Sequence, residues 1–276
     1  MSEKTGNDAA KPRKVAIVTG SATGLGAAAA VMLAGRGCNV VINCTKSRSE
    51  AEATAVRCRT QGVEALVAQG DVSDDAACRA IVDAAVRTWG GVDYLVNNAG
   101  RTTFIPYEDL GALTKETFLD IYSVNVVGTY QMIRAAEPHL RRARGAIVNV
   151  SSIGGVTGIA SSMAYAASKG ALNVLTRSLA LVLAPEVRVN AICPGAIQTR
   201  WLRGGMGDEA YEKMITGLSE QLPLRRVASP EGIANSVVAF LLDHTEVTGE
   251  TLNVDDGLHL GRLPSYASTD KGRDQF

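Results

Sequence analysis

Short apolar, β-branched runs alternate with longer Ala-rich stretches along almost the whole chain. VAIVTG (15–20), CNVVIN (38–43), EALVAQGDV (64–72), VDYLVNNAG (92–100), GAIVNVSS (145–152), VRVNAICPG (187–195) and GETLNVDDG (249–257) each predict a strand. Between them, 24–37, 49–62, 73–90, 114–140, about 164–184 and 230–243 predict helices. The strand runs are nearly continuous in apolar residues rather than alternating, which is the pattern of strands covered on both faces. Seven such strands with right-handed crossovers predict one α/β domain: a doubly wound, seven-stranded parallel sheet with helices on both faces. No Pro- or Ser-rich linker divides it, so the domain is expected over 13–263, between polar, mobile tails at 1–12 and 264–276. Helix ends carry local signals as well. Ser73, ahead of Asp74 and Asp75, is the expected N-cap of its helix, Gly37 and Gly62 are expected C′ residues, and Ser229 before Pro230 and Glu231 opens the late helix.

Charge narrows the partners. Lys plus Arg number 28 and Asp plus Glu 28 in 276 residues, so no basic excess draws the chain to nucleic acid or to an anionic membrane. No apolar run reaches the roughly 20 residues of a membrane span, and the polar N-terminus has no signal-peptide core. A soluble, cytoplasmic protein is expected. The five cysteines form no CxxC and read as small buried or half-buried thiols; the three histidines are scattered, and no metal is expected.

Two motifs bring chemistry into this framework. TGSATGLG (19–26) joins a buried strand to a helix. Glycines there allow a sharp turn and a close approach of pyrophosphate to the helix N-terminus, so Gly20, Ser21, Thr23, Gly24, Leu25 and Gly26 are candidates to hold a dinucleotide in a Rossmann-type fold. Such folds often place an acid at the end of the second strand, where it binds a ribose 2′-hydroxyl and repels a 2′-phosphate. Here that end offers Asn43, Cys44 and Thr45, with no acid until Glu50 and with Lys46 and Arg48 close by. Thr45 and Lys46 favour NADP(H), with NAD(H) possible.

The second motif is YAASK. Tyr165 and Lys169 stand four apart on one helix face, 13 residues beyond Ser152 at a strand end. A free tyrosine titrates near 10, and an adjacent ammonium is expected to lower that value so that the phenol can exchange a proton with an alkoxide. Ser152 can hydrogen-bond the same oxygen.

These motifs, with Asn97-Asn98-Ala99-Gly100 and with Pro194-Gly195 followed by Thr199, resemble those of the short-chain dehydrogenase/reductase family over essentially residues 13–260. The resemblance implies Tyr165 as general acid/base, Lys169 also on the nicotinamide ribose, Ser152 orienting the substrate carbonyl, and Asn125 holding a water that relays protons from Lys169. The family's spacing favours Ser152 over Ser151. Asp71 and Val72 would flank the adenine, Asn98, Ala99 and Gly100 would run along the cofactor, and Pro194, Gly195, Ile197 and Thr199 would meet the nicotinamide end. Asn97 reads equally as a tie between strands. The resemblance also implies a homotetramer built on the helices at 114–140 and 164–184, where Val174, Leu175 and Leu179 could serve either an interface or the sheet. One departure is Asp255-Asp256-Gly257-Leu258 where the family often has DGG.

Residues 196–222 are implied to form a lid, or else a surface helix pair with a flexible joint; Gly204, Gly205 and Gly207 offer hinge freedom. Ile153, Trp201 and Met206, with Phe104 and Met214, are candidate substrate contacts, and Arg200 and Arg203 could meet an anion or remain solvated. The expected activity is an NADP(H)-dependent interconversion of a carbonyl and a secondary alcohol on a small molecule. A 3-oxoacyl thioester is the first expectation, a sugar or polyol the second, and a catalytically silent nucleotide sensor the alternative of another class.

Overall fold

The computed structural model describes residues 13–261; the expectations for 1–12 and for the C-terminal tail lie outside that range. Seven strands form one parallel sheet: β1 (Val15–Val18), β2 (Asn39–Cys44), β3 (Ala65–Gln69), β4 (Tyr94–Asn97), β5 (Ala146–Val150), β6 (Arg188–Pro194) and β7 (Thr251–Val254), in the order β3-β2-β1-β4-β5-β6-β7. Successive side chains of each strand serve opposite faces. Ala16, Val18, Val40, Ile42, Val96 and Val148 build one core with α1 (Gly24–Gly35), α2 (Arg48–Arg59) and α10 (Pro230–Leu242). Val15, Ile17, Val41, Leu95, Ile147 and Val189 build the other with α3 (Asp75–Trp89), α5 (Thr129–Ala143) and α7 (Met163–Leu183). Strand order reverses between β1 and β4, so the loops leaving their carboxyl ends part and open a cleft.

Three local expectations change. The stretch read as one helix over 114–140 is α4 (Lys115–Tyr122), a π-helical turn at Ser123–Gly128 and α5. Its sequence, SVNVVG, combines β-branched residues, an Asn and a Gly, all weaker helix formers. Gly128 lies so close to Val72 that a Cβ would fall 2.9 Å from the Val72 carbonyl oxygen. The turn places Asn125 fully inside the protein, and such turns are frequent at functional sites. Second, the N-cap of α3 is Asp74, which accepts from Ala76 N–H at 2.9 Å. Ser73 is committed to Asp71 Oδ1 through both its N–H and its hydroxyl, at 2.9 and 2.7 Å. Third, Leu179 belongs to the core and Leu175 packs against it, which leaves Val174 facing outward.

The capping expectations elsewhere agree with the structure, except at Gly62. Gly37 is C′ of α1 with φ of 86°, and Ser229 caps α10 through Gly232 N–H; Gly62 also has a positive φ, 79°, but lies one residue beyond C′ of α2, whose C-cap is Thr60. All five cysteines are buried free thiols. Among the described residues no helix is long and apolar enough to cross a membrane.

Candidate functional site

The cleft at the carboxyl ends of the strands is a cavity of about 970 Å³. Its floor is the turn after β1. Gly20 and Gly24 both have φ of 59°, a region L side chains rarely occupy. A Cβ on Gly26 would sit 2.5 Å from both the Asn98 amide nitrogen and the Gly20 carbonyl oxygen, so the helix start and the turn touch through bare backbone. Asn98 fixes this contact by donating to the carbonyls of Thr19 and Gly20 at 3.0 and 2.9 Å, while the Thr19 hydroxyl accepts from Asn98 N–H and Ala99 N–H. Thr23, the N-cap of α1, makes no side-chain cap bond. Helix N–H groups therefore face a cavity that Gly20, Thr23, Gly24 and Leu25 line. Glycine surfaces, positive φ and open N–H donors fit a pyrophosphate. Ser21 and Gly26 shape the turn from behind it: Ser21 is buried, donating to Val18 O at 2.6 Å and accepting from Asn43 N–H.

The end of β2 is organised by Asn43, whose carbonyl oxygen accepts from Gly20 N–H at 3.1 Å and whose amide donates to Ala68 O and Gly70 O. One buried amide thus ties the turn after β1 to the end of β3. Thr45 lines the cavity, as do Asp71 and Val72; Lys46 is exposed and lies outside the lining. Burial alone would raise the carboxyl pKa of Asp71, but its two bonds from Ser73 outweigh that and hold it below the ordinary carboxylate range.

Across the cleft, α7 carries Tyr165 and Lys169. The hydroxyl of Ser162 caps the helix through Tyr165 N–H. The phenol makes a side-chain hydrogen bond with Ser152, yet desolvation dominates and pushes its pKa up to about 12. The expectation of a lowered value fails here because desolvation outweighs the one lowering contact, from Ser152, while the Lys169 ammonium is bonded elsewhere. It lies 5.6 Å from the ring centroid and donates to Val150 O at 2.8 Å. Burial lowers the Lys169 pKa to about 8. The two neighbouring serines divide their work. Ser151 is buried and donates to Lys169 O at 3.1 Å, whereas Ser152 Oγ accepts from Gly154 N–H at 3.0 Å and meets the phenol.

Asn125 sits behind this group. Its carbonyl oxygen accepts from Arg101 N–H at 2.8 Å, and its amide donates to Arg101 O and Ser168 Oγ, each at 3.0 Å. Ser168 in turn donates to Tyr165 O at 2.7 Å, so the segment after Gly100 is tied to the helix of the phenol. Asn97 does act as a strand tie: its amide donates to Asn149 Oδ1 at 2.9 Å, and the Asn149 amide donates to Thr176 Oγ1.

The outer wall is α8 (Arg200–Met206) and α9 (Asp208–Gln221), joined at Gly207 with φ of 83°. Of the three glycines, Gly205 is a contact rather than a hinge, since a Cβ there would fall 2.0 Å from the Phe104 ring. Trp201 meets the Tyr165 ring edge-on at 6.3 Å between centroids, and its indole lies against Gly100. Neither arginine of this segment is simply solvated. Arg200 pairs with Glu50 at 2.6 Å, and Arg203 pairs with Asp208 and Glu212 while stacking over Tyr211. Pro194, Gly195, Ile197 and Thr199 line the same cavity, as do Ile153, Phe104, Trp201, Met206 and Met214.

Comparison with known proteins agrees with this geometry. Residues 20–259 match the family model described as enoyl-(acyl carrier protein) reductase. The chain belongs to the short-chain dehydrogenase/reductase family. It is 43% identical over 247 residues, 89% of this chain and 96% of the other, to a Streptomyces violaceoruber protein named as ketoacyl reductase 2 of the granaticin polyketide synthase. It is 34% identical to a Staphylococcus aureus 3-oxoacyl-[acyl-carrier-protein] reductase, over 91% of this chain and all of the other. A crystal structure described as a short-chain dehydrogenase/reductase from Burkholderia xenovorans superposes with a TM-score of 0.84 at 38% identity, covering 91% of this chain and all of that one. The protein is therefore an oxidoreductase acting on a carbonyl or alcohol with an NAD(P)(H)-type cofactor.

Within the family frame, the altered DGG element keeps its turn. Asp256 adopts φ of 54° and is held by Arg226 at 3.2 Å, and Gly257 follows at 88°. Asp255 accepts from Gly257 N–H and His259 N–H and contacts the His259 ring at 2.9 Å. Sequence reading placed Asn43 at the end of β2 but not its tie to Gly20, Ala68 and Gly70, and it missed Arg101, Ser168 and the pairing of residues 101–107 with 158–161. In that pairing Ile105 N–H donates to Ser161 O, and the Tyr107 hydroxyl donates to Gly158 O while accepting from Ala160 N–H. The signal available for Asn43 was a polar residue at the inner end of an apolar strand.

Proposed function

We propose that the protein reduces a 3-oxoacyl thioester to the 3-hydroxy compound using NADPH, with Tyr165 as proton donor. The observation that carries this reading is the Tyr165 phenol, half-buried in the cavity wall and hydrogen-bonded to Ser152 between a phosphate-binding turn and an apolar wall, where desolvation pushes its pKa up to about 12 and keeps it protonated. The turn at Gly20–Leu25 would hold the pyrophosphate, Asp71 and Val72 the adenine, Asn98 to Gly100 the middle of the dinucleotide, and Lys169 with Tyr165 the nicotinamide ribose. When bound, the dinucleotide supplies the hydride.

The protein's own part is proton handling. An alkoxide is far more basic than a phenolate, so a protonated Tyr165 hands its proton to the substrate oxygen downhill. Ser152 Oγ accepts from Gly154 N–H, and its own O–H, which meets the phenol, would turn to donate to the same substrate oxygen. The phenolate left behind is stabilised by the Lys169 cation in a site of low dielectric, and Asn125 anchors the path by which the proton is replaced. The lid excludes water around the reacting atoms.

An acyl chain suits the walls better than a polyol, because Phe104, Ile105, Trp201, Met206 and Met214 present few hydrogen-bond partners. The 3-oxoacyl reductase names of the relatives support the same choice. The absence of an acid at the end of β2 supports NADPH. The test is a carbonyl panel containing acetoacetyl thioesters, sugars and polyols, followed by NADPH and NADH absorbance. Fastest turnover is expected for thioester with NADPH. Turnover confined to sugars or polyols overturns the substrate reading, and equal rates with NADH overturn the cofactor reading. Assembly into a homotetramer through the outward faces of the π-turn, α5 and α7, where Val127, Tyr130, Val174, Leu181 and Val182 are exposed, is checked by light scattering.

A further inference from the structure

The end of β2 is short of rigid cations. Asn43 spends its amide on backbone carbonyls, Arg48 leans 3.8 Å toward Glu52, and Lys46 stands outside the cavity lining. The charge of Lys46 reaches Asp71, as does that of Arg101, and a further cation comes to this end of the cleft from the opposite wall. Arg200, the first residue of α8, lines the cavity together with Thr23 and Thr45 and reaches across to Glu50 in the first turn of α2. Glu50 is the first carboxylate after β2, and it is spent on an arginine of the lid.

That pair is exposed, and exposed pairs hold weakly. A guanidinium binds a phosphate by parallel, charge-assisted bonds that are stronger than such a pair, and its planar fork suits a phosphate better than a lysine does. A phosphate entering between Thr45 and Thr23 would therefore win Arg200 from Glu50. We propose that Arg200 is the residue that reads a cofactor 2′-phosphate, and that Glu50 competes with the phosphate for it. The cofactor specificity of this enzyme is thus divided between the β2–α2 turn and the lid. This rests on the NADPH reading given above.

The experiment is isothermal titration of the full-length protein with adenosine 2′,5′-bisphosphate and with 5′-AMP, ligands that differ only in the 2′-phosphate. Wild type, Arg200→Gln, Arg200→Lys and Glu50→Gln are compared. Arg200→Gln is expected to weaken the bisphosphate about tenfold or more, the range of one lost charge-assisted bond, and to leave 5′-AMP within about twofold. Arg200→Lys should recover part of the loss, because it restores charge without the fork. Glu50→Gln should tighten the bisphosphate alone, since the phosphate no longer has a rival. A wild type without preference for the bisphosphate overturns the NADPH reading and this assignment with it. A wild-type preference that survives Arg200→Gln, or equal losses for both ligands, overturns the assignment alone.

Discussion

The two walls of the cleft are built by opposite means. The inner wall is backbone against backbone: Gly26 on Gly20, Gly20 on Ala99, with Asn98, Thr19 and Asn43 closing buried hydrogen bonds between them. The outer wall is two short helices in which Tyr211 is the buried residue and the ties are exposed pairs, Arg200 to Glu50 and Arg203 to Asp208 and Glu212. Buried backbone contacts do not yield without a steric cost, whereas exposed pairs exchange partners easily. On the function proposed above, the difference would give precision to the wall that holds the dinucleotide and motion to the wall that admits substrate.

The largest effect tests the chemistry lodged between the walls. Tyr165→Phe removes the proton donor and the bond to Ser152 while keeping the ring that Trp201 touches. Turnover should fall by roughly 10²–10⁴-fold, the usual worth of a general acid, with dinucleotide affinity changed far less. Steady-state kinetics and a binding titration check both halves. A variant that keeps most of its turnover would remove Tyr165 from the mechanism.

Next comes the inner wall itself. Gly26→Ala pushes a methyl to 2.5 Å from the Gly20 carbonyl, and backbone is what must move. A loss of about 1–3 kcal/mol in stability is expected, with at least a tenfold loss in dinucleotide affinity, read by thermal unfolding and by titration. If affinity holds while stability drops, the turn is a structural joint and not a phosphate cradle.

The lysine gives a pH prediction of intermediate size. Its pKa falls from 10.5 to about 8 through burial, so the cation that stabilises the phenolate is lost above about 8. Carbonyl reduction should be flat below that pH and decline above it, and Lys169→Arg should move the decline upward. The stability sign follows from the same shift. A depressed folded-state pKa contributes stability fully above 10.5, and that contribution is lost as pH falls through about 8. At pH 7 the buried cation is a burden on the fold, and Lys169→Met should unfold at a higher temperature than wild type while losing activity.

The contrast between the walls also explains what was legible in the chain. All seven strands and the glycine turn follow from local periodicity and local φ requirements, which sequence carries directly. Ser152 and Tyr165 came from spacing, and the structure brings them into contact. The π-turn at Ser123–Gly128 was hidden from local pattern: Gly128 lies against Val72, a neighbour remote in sequence, with no room for a Cβ. The raised pKa of Tyr165 was hidden because it comes from desolvation by the surrounding fold, and spacing places Lys169 on the same helix face without showing that its ammonium bonds Val150 O. The tie through Asn43, the role of Arg101 and the Arg200–Glu50 pair were hidden for a similar reason: each works through a partner more than 20 residues distant in sequence.

The smallest expected effect separates the walls most cleanly. Gly204 lies inside α8, and a Cβ there meets nothing within 4 Å. Gly204→Ala should therefore stabilise that helix by about 1 kcal/mol, the propensity difference between the two residues. If the lid opens independently of the sheet, the gain stays local. Amide exchange over 200–206 should then slow by about fivefold, while the global Tm stays within about a degree. If α8 instead melts only with the core, the same substitution should raise Tm by about 2–4 °C and leave exchange in α8 matched to that of the sheet. The first outcome makes the outer wall a separately moving element, which is what partner exchange by Arg200 requires. The second would weld it to the inner wall and reduce the contrast between them to one of packing.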